Sequence, residues 1–328
     1  MLSRTANGLF WMSRYVERAS NIARLLDAGR RMDAIPNTDA GRASEWESIL
    51  IASGCHETYE GDIKRADMTG VARHLIFDHD NPSSIMCCMK SARENARAMR
   101  IAVTTEVWDV VNLNWAEMRG RTMVDIEGGR FAGFLEWVKV CGFMFTGAVE
   151  ASMLRDGGSR FISLGKSVER ADATARLLDV KYHVLLPRTQ DVGGGIDHMQ
   201  WVQLLRATNS LRAFRWTYRE TVTPQAVVHF LILNPTSPRS IVTSVGEIVE
   251  QLEAIGGKTA HQRALLDHAR DMLVRLQVLQ VEQIIAFGLH EWLTNQIIEI
   301  NVLAGEIAQA YGFNGPEEVA EQSQSQSQ

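Results

Sequence analysis

A twelve-residue stretch occurs twice in this chain, and that repetition constrains the fold more than any other feature. Val16-Glu17-Arg18-Ala19 returns as Val168-Glu169-Arg170-Ala171, 152 residues later, and Ala23-Arg24-Leu25-Leu26-Asp27 returns as Ala175-Arg176-Leu177-Leu178-Asp179. Nine of the twelve aligned positions are identical. Weaker matches follow in the same order: Trp46…Leu50 with Trp201…Leu205 at offset 155, and Pro82-Ser83-Ser84-Ile85 with Pro238-Arg239-Ser240-Ile241 at offset 156. Colinear matches with a slowly drifting offset mark an internal duplication. The chain reads as two homologous halves, 1–150 and 151–315, packed around a shared core with approximate two-fold pseudo-symmetry; two separate domains are the alternative. The polar Ser/Gln tail, 316–328, is expected to be disordered.

Apolar residues recur at helical spacing nearly everywhere, alternating strand patterns are scarce, and none of the seven prolines lies between 83 and 186. The fold class is all-α, a helical bundle. Long helices are predicted near 3–34, 44–60, 82–101, 131–155, 159–184, 198–220, 238–254 and 259–311, with shorter ones near 67–77, 104–118 and 224–233. Breaks fall at Pro36-Asn37, Asp80-Asn81-Pro82, Asp156-Gly157-Gly158, Gly193-Gly194-Gly195 and Gly256-Gly257. With 328 residues and 45% hydrophobic composition, such a chain builds its core without disulfides or a structural metal. A net charge of −5 argues against a general nucleic-acid binder. The four cysteines (55, 87, 88, 141) contain no Cys-x-x-Cys pair and read as reduced thiols. No run of 18 apolar residues is present, so no membrane span is expected and the cytoplasm is the default location.

On a helical wheel, residues 9–27 place Leu9, Trp11, Met12, Tyr15, Val16, Ala19, Ile22, Ala23 and Leu26 on one broad apolar face. Glu17 and Arg24 fall about 20° apart on the opposite side, and Arg18 falls about 100° from Glu17 at the edge of the apolar face. Neighbours in sequence do not face one another on a helix, so Glu17 and Arg18 serve two directions. Glu169, Arg176 and Arg170 repeat the pattern. The ordinary reading is a solvated face with snorkelling arginines. Retention of Glu, both Arg and Asp in each copy, while Ser20-Asn21 became Asp172-Ala173, points instead to a stripe facing something specific: the other half, a ligand or a partner.

At these residues the chain resembles the alpha-E proteins, bacterial all-helical proteins named for a Glu-Arg motif. The resemblance runs over nearly the whole chain. It rests on Phe10-Trp11-Met12-Ser13-Arg14-Tyr15-Val16-Glu17-Arg18-Ala19, Ala92-Arg93-Glu94-Asn95-Ala96-Arg97, Met153-Leu154-Arg155-Asp156-Gly157, Leu164-Gly165-Lys166, Val168-Glu169-Arg170-Ala171-Asp172, Ala175 through His183 and Asp197-His198-Met199-Gln200-Trp201. Three positions depart from the pattern: Ser159 stands where a Trp is expected, Ser167 where an aromatic is common, and Ser20 where an acid is common. The resemblance implies a genetic setting beside a circularly permuted ATP-grasp ligase and a transglutaminase-like cysteine peptidase. It thereby implies a role in forming or modifying peptide or amide bonds.

The candidate binding residues are Glu17, Arg18, Arg24 and Asp27 with their counterparts Glu169, Arg170, Arg176 and Asp179, together with Asp172, Arg93, Glu94, Asn95, Arg97 and Arg160. Arg93 and Arg97 lie one helical turn apart, a spacing that grips a carboxylate or phosphate. Arg155, Arg160 and Lys166 flank the start of the second Glu-Arg helix, where a helix N-terminus favours anions. Leu164-Gly165-Lys166-Ser167 fails as a phosphate loop because Arg160 stands where that motif needs Gly. His74, Asp78, His79 and Asp80 form the densest His/Asp group, but no third metal ligand is evident. No nucleophile triad, cofactor loop or metal set is legible, and no cofactor is expected. Three roles remain. The first is a helical partner of an ATP-grasp amide or peptide ligase, binding the ligase or its peptide substrate through the Glu-Arg helices. The second is an enzyme of peptide or amide-bond formation using Glu17 and Glu169 as acid or base. The third is a purely structural oligomer.

Overall fold

Helical periodicity without strand signal produces helices throughout. The computed structural model describes residues 2–35, 45–185, 194–219 and 221–313, and among them it has fourteen α-helices and no strand. The helices are α1 (Ser3–Asp33), α2 (Glu45–Ser53), α3 (Met68–Ile76), α4 (Ile85–Ala98), α5 (Thr105–Met118), α6 (Arg130–Ser152) and α7 (Gly157–Leu185). They continue as α8 (Gly195–Ala207), α9 (Leu211–Tyr218), α10 (Pro224–Val228), α11 (Ile241–Ile255), α12 (Ala260–Val278), α13 (Val281–Phe287) and α14 (Leu289–Tyr311). The Pro36-Asn37 break, Gly193 and the Ser/Gln tail lie outside the described residues.

The weak Pro-x-Ser-Ile echo has a local cause. Ser84 and Ser240 cap α4 and α11, each hydroxyl accepting from the backbone N–H three residues on, Cys87 and Thr243 respectively. Three predicted helices come out shorter or divided. The helix predicted over 44–60 stops at Ser53, because Gly54 turns the chain at φ +71°. The helix predicted over 198–220 splits between α8 and α9, where Asn209 takes φ +57°. The stretch predicted as one helix over 259–311 becomes α12, α13 and α14. There, Gln280 and Gln283 form a capping box that restarts the helix, and Gly288 at φ +106° separates α13 from α14. A lone glycine inside an apolar periodic run carries little sequence signal, yet only glycine adopts that φ without strain.

α1 buries 20 of its 31 residues, so it is enclosed on all sides rather than along one stripe. It packs against α4, α6, α7 and α8, and α7 in turn packs against α11, α14 and α2. The packing partners of the two halves correspond. α1 rests on α4 and α6 with α5 bridging them, and α7 rests on α11 and α14 with α12 bridging them. The short helices cross over: α2 lies on α7 and α8 lies on α1. α6 is long and apolar enough by composition to cross a membrane; in this fold it packs against α1 and α5, burying Phe131, Leu135, Val138 and Cys141.

Contacts advance together along α1 and α7, Leu9 with Gly158, Phe10 with Gly165, and Arg14 and Arg18 with Glu169, so the two helices run parallel. Gly165 sets their approach. A Cβ at this position would lie 2.3 Å from the Phe10 carbonyl oxygen, a backbone atom that cannot swing away. Gly165→Ala is therefore expected to push α7 from α1 and to destabilise the protein by about 1–3 kcal/mol in urea unfolding, despite alanine's better helix propensity. An unchanged midpoint would show that the seam has slack.

Candidate functional site

The two glutamates of the repeated motif each cross to the opposite helix. Glu169 of α7 accepts from Arg14 Nε at 2.9 Å, from Arg18 Nε at 2.6 Å and from Arg18 Nη2 at 3.0 Å. Glu17 of α1 accepts from Arg170 Nε and Nη2, both at 3.1 Å, and from Arg239 Nη1 at 3.3 Å. The exchange is reciprocal: the arginine next to each glutamate in sequence pairs with the glutamate of the other copy. The two-turn polar stripe seen on the wheel is thus the seam between the halves. Glu17, Arg24 and Glu169 are buried, with relative exposures of 6, 3 and 5%. The solvated-face reading fails because α1 has no solvent face at this level.

Burial alone would raise both carboxyl pKa values, but the adjoining guanidiniums outweigh it. Arg170 and Arg239 hold Glu17 down to about 2, and Arg18 and Arg14 hold Glu169 down to about 2. Burial likewise disfavours the charge on Arg18, and Glu169 reverses that and raises its pKa.

Beside the first pair the seam opens into a cleft of about 80 Å³. Arg14, Arg18, Asn21, Glu169, Asp172, Arg176 and Asn301 line it, with Ser53 and Gly54 from the end of α2 and Ser83 from the start of α4. Asp172 accepts from Arg176 Nε at 2.7 Å and from Asn301 Nδ2 at 3.1 Å. Each guanidinium lining the cleft has a carboxylate partner, Arg14 and Arg18 sharing Glu169 and Arg176 taking Asp172, so the site is polar and its ions are paired. It offers hydroxyl, amide and guanidinium groups, and no cysteine, histidine or lysine lines it.

Other predicted residues go elsewhere. Asp27 binds Arg30, Arg31 and Lys139 at 2.7, 3.1 and 3.4 Å, and Asp179 accepts from His290 at 2.6 Å; neither lines the cleft. Arg93 donates to Asn112 at 2.8 Å and lies 5.8 Å from the Trp108 ring, while Glu94 and Arg97 are exposed and Asn95 bonds back to Ser91 within its own helix. The Arg93/Arg97 grip does not form. Arg160 donates to Gln251 at 3.1 Å in a separate groove, where Arg155 and Lys166 face Glu150, Glu247 and Glu250. His74 and Asp78 bond each other at 2.7 Å, and no group of three or more potential metal ligands occurs among the described residues. Sequence reasoning missed Arg14, Asn21, Arg239 and Asn301. Arg239 had a faint signal, as it replaces Ser83 in the second copy of the Pro-x-Ser-Ile segment.

The profile of the Alpha-E family, described as a predicted alpha-helical domain with a conserved ER motif, matches residues 1–311. The chain belongs to the Alpha-E family. This Alpha-E chain is 24% identical over 339 residues to uncharacterized proteins of Mycobacterium bovis and Mycobacterium tuberculosis CDC 1551, and 23% identical to one of strain H37Rv. Each alignment covers 93% of this chain and 36% of the relative, so the Alpha-E chain spans about a third of the length of those relatives. No solved structure matches it.

The crossed ion pairs make acid a specific stress for the Alpha-E seam. Both folded carboxyl values lie below the unfolded value of about 4.3. Their contribution is complete above that pH and is lost as pH falls toward 2. Unfolding free energy should therefore drop between about pH 5 and pH 2, with a shallower slope in Glu17→Gln/Glu169→Gln. At neutral pH, Glu169→Gln leaves Arg14 and Arg18 buried against a neutral amide and should cost about 3–5 kcal/mol. Loss below 1 kcal/mol would mean that solvent screens the pair about as well as it screens a surface bridge.

Proposed function

We propose that this Alpha-E chain is a non-catalytic helical partner in an ATP-grasp amide- or peptide-ligase system, holding a segment of the peptide substrate, or of the ligase itself, in the seam cleft. The observation that carries this reading is the cleft's chemistry. Its carboxylates are occupied by guanidiniums, and it presents Ser53, Ser83, Asn21 and Asn301 beside the outer edges of Arg18 and Arg176. Such a lining suits the N–H and C=O groups of an extended peptide better than proton transfer. A general acid or base works best with a pKa near the operating pH, and glutamates held near 2 are far from it. That weighs against the alternative of an enzyme using Glu17 and Glu169. In the relatives the matched stretch is only 36% of a longer polypeptide, an arrangement that suits a unit serving other sequence. The link to an ATP-grasp ligase and a transglutaminase-like protein rests on the family resemblance.

Mixing the purified chain with the ATP-grasp ligase of the same host, read by biolayer interferometry, tests the proposal. Association in the micromolar range is expected, weakened about tenfold or more by Arg176→Gln, which lines the cleft but takes no part in the crossed pairs. Melting temperature should shift little in that variant. No association at about 50 µM, with or without the ligase's peptide substrate, would overturn the reading.

A further inference from the structure

The two ends of the seam are not equivalent in charge. Around Glu169, Arg176 is matched by Asp172, four residues earlier on the same helix. In the first copy the residue corresponding to Asp172 is Ser20, so Arg24, the counterpart of Arg176, has no acid at that position. Arg24 Nε and Nη1 have no hydrogen-bond partner, although the residue is 3% exposed. The Ser20 hydroxyl and the Asn21 Nδ2, on the same stretch of α1, are also buried and unpartnered. At the start of α11, the second copy places Arg239 where the first has Ser83, and Arg239 reaches Glu17 at 3.3 Å and Asn21 Oδ1 at 3.4 Å. Three guanidiniums, Arg24, Arg170 and Arg239, are therefore gathered around the single carboxylate of Glu17.

That imbalance strains the cations. Burial lowers the Arg24 pKa to about 10 against the attraction of Glu17, and burial with repulsion from Arg24 lowers that of Arg239 to about 9. Both remain charged near neutral pH. The neighbouring acids are committed: Asp27 to Arg30, Arg31 and Lys139, Glu136 to Lys139, and Glu247 to Lys166 and Ser167. Unmet buried guanidinium donors cost free energy that an oxyanion relieves. On the α6 side the Phe143 ring lies 5.7 Å from Arg24 Cζ and is itself 53% exposed, so a single half-exposed side chain stands between Arg24 and solvent there.

We propose that the Arg24–Arg239 end of the seam is an oxyanion site, taking a phosphate or carboxylate group in the position that an aspartate fills in the second copy. The site adjoins the cleft through Asn21 but is built on other guanidiniums, and it holds whether or not the chain works beside a ligase.

Titration calorimetry with inorganic phosphate and, separately, with acetate at constant ionic strength tests it. Wild type should bind one equivalent of at least one of them. Heat with phosphate alone assigns a phosphoryl ligand, and heat with acetate alone assigns a carboxylate. Arg24→Gln should lose about tenfold or more in affinity, whereas Arg176→Gln at the matched end should keep it within about twofold. A second variant guards against misfolding. Arg24→Met removes an unmatched buried charge, so in phosphate- and acetate-free buffer its melting temperature should lie above that of wild type, while its anion-dependent rise disappears. No binding of either anion at millimolar concentration, equal losses in the Arg24 and Arg176 variants, or a lower melting temperature for Arg24→Met would each overturn the proposal.

Discussion

Two glutamates, Glu169 held by Arg14 and Arg18 of α1 and Glu17 by Arg170 of α7 and Arg239 before α11, fix how the rest of the molecule is assembled. α1 and α7 run side by side through the centre, and their contact positions every other layer: α4 and α6 on one, α11 and α14 on the other. Apolar packing around Leu9, Phe10, Leu164 and Val168 supplies the bulk of the cohesion, since these side chains are essentially shut off from solvent. Apolar contact is not directional, however, and would tolerate a slip of one turn along the helices. A buried carboxylate that must meet two guanidiniums does not tolerate it, because a slip leaves charges unmatched in a low-dielectric interior. Against a well-packed apolar replacement such pairs gain little, and their weight lies in what they forbid. Gly165 complements them by letting the backbones close to a distance at which the guanidiniums reach.

Much of this was legible in the sequence, and what was not has identifiable physical reasons. The duplication named α1 and α7 and the residues Glu17, Arg18, Arg24, Glu169, Arg170 and Arg176, all of which the fold brings to the seam. Their destination was not legible. A helical wheel assumes one wet side, and α1 is buried all round, so residues diametrically opposite the apolar stripe still find protein. Asp27 and Asp179 repeat as faithfully as the glutamates, yet one meets Lys139 and the other His290, because repeats fix position along a helix and not the identity of a neighbour far away in sequence. The Pro-x-Ser-Ile segment marks the position of Arg239 but not its role, which depends on α11 docking against α7.

Element boundaries failed where a single residue decides the backbone. Gly288 sits in an apolar run and Asn209 between two helical periodic stretches, and in both places a positive φ ends the helix. At the end of α2 the first half turns at Gly54, and at the end of α8 the second half turns at Asn209, so the same turn is made with different residues. Asparagine is among the few residues besides glycine that enter this region readily, which is why the echo of the duplication survives in conformation after it has faded in sequence.

The crossed packing of α2 on α7 and of α8 on α1 accompanies the crossed ion pairs. Contacts in which residue i of one copy meets residue j of the other, and j meets i, are what two identical subunits make across a closed two-fold interface. A single half would expose its glutamate and arginine ends to a second molecule of itself, with each mismatch appearing twice. Within one polypeptide that constraint is absent. Ser20 and Asp172, or Ser83 and Arg239, are free to differ, and the two ends of one seam carry unlike sets of charges in the same molecule.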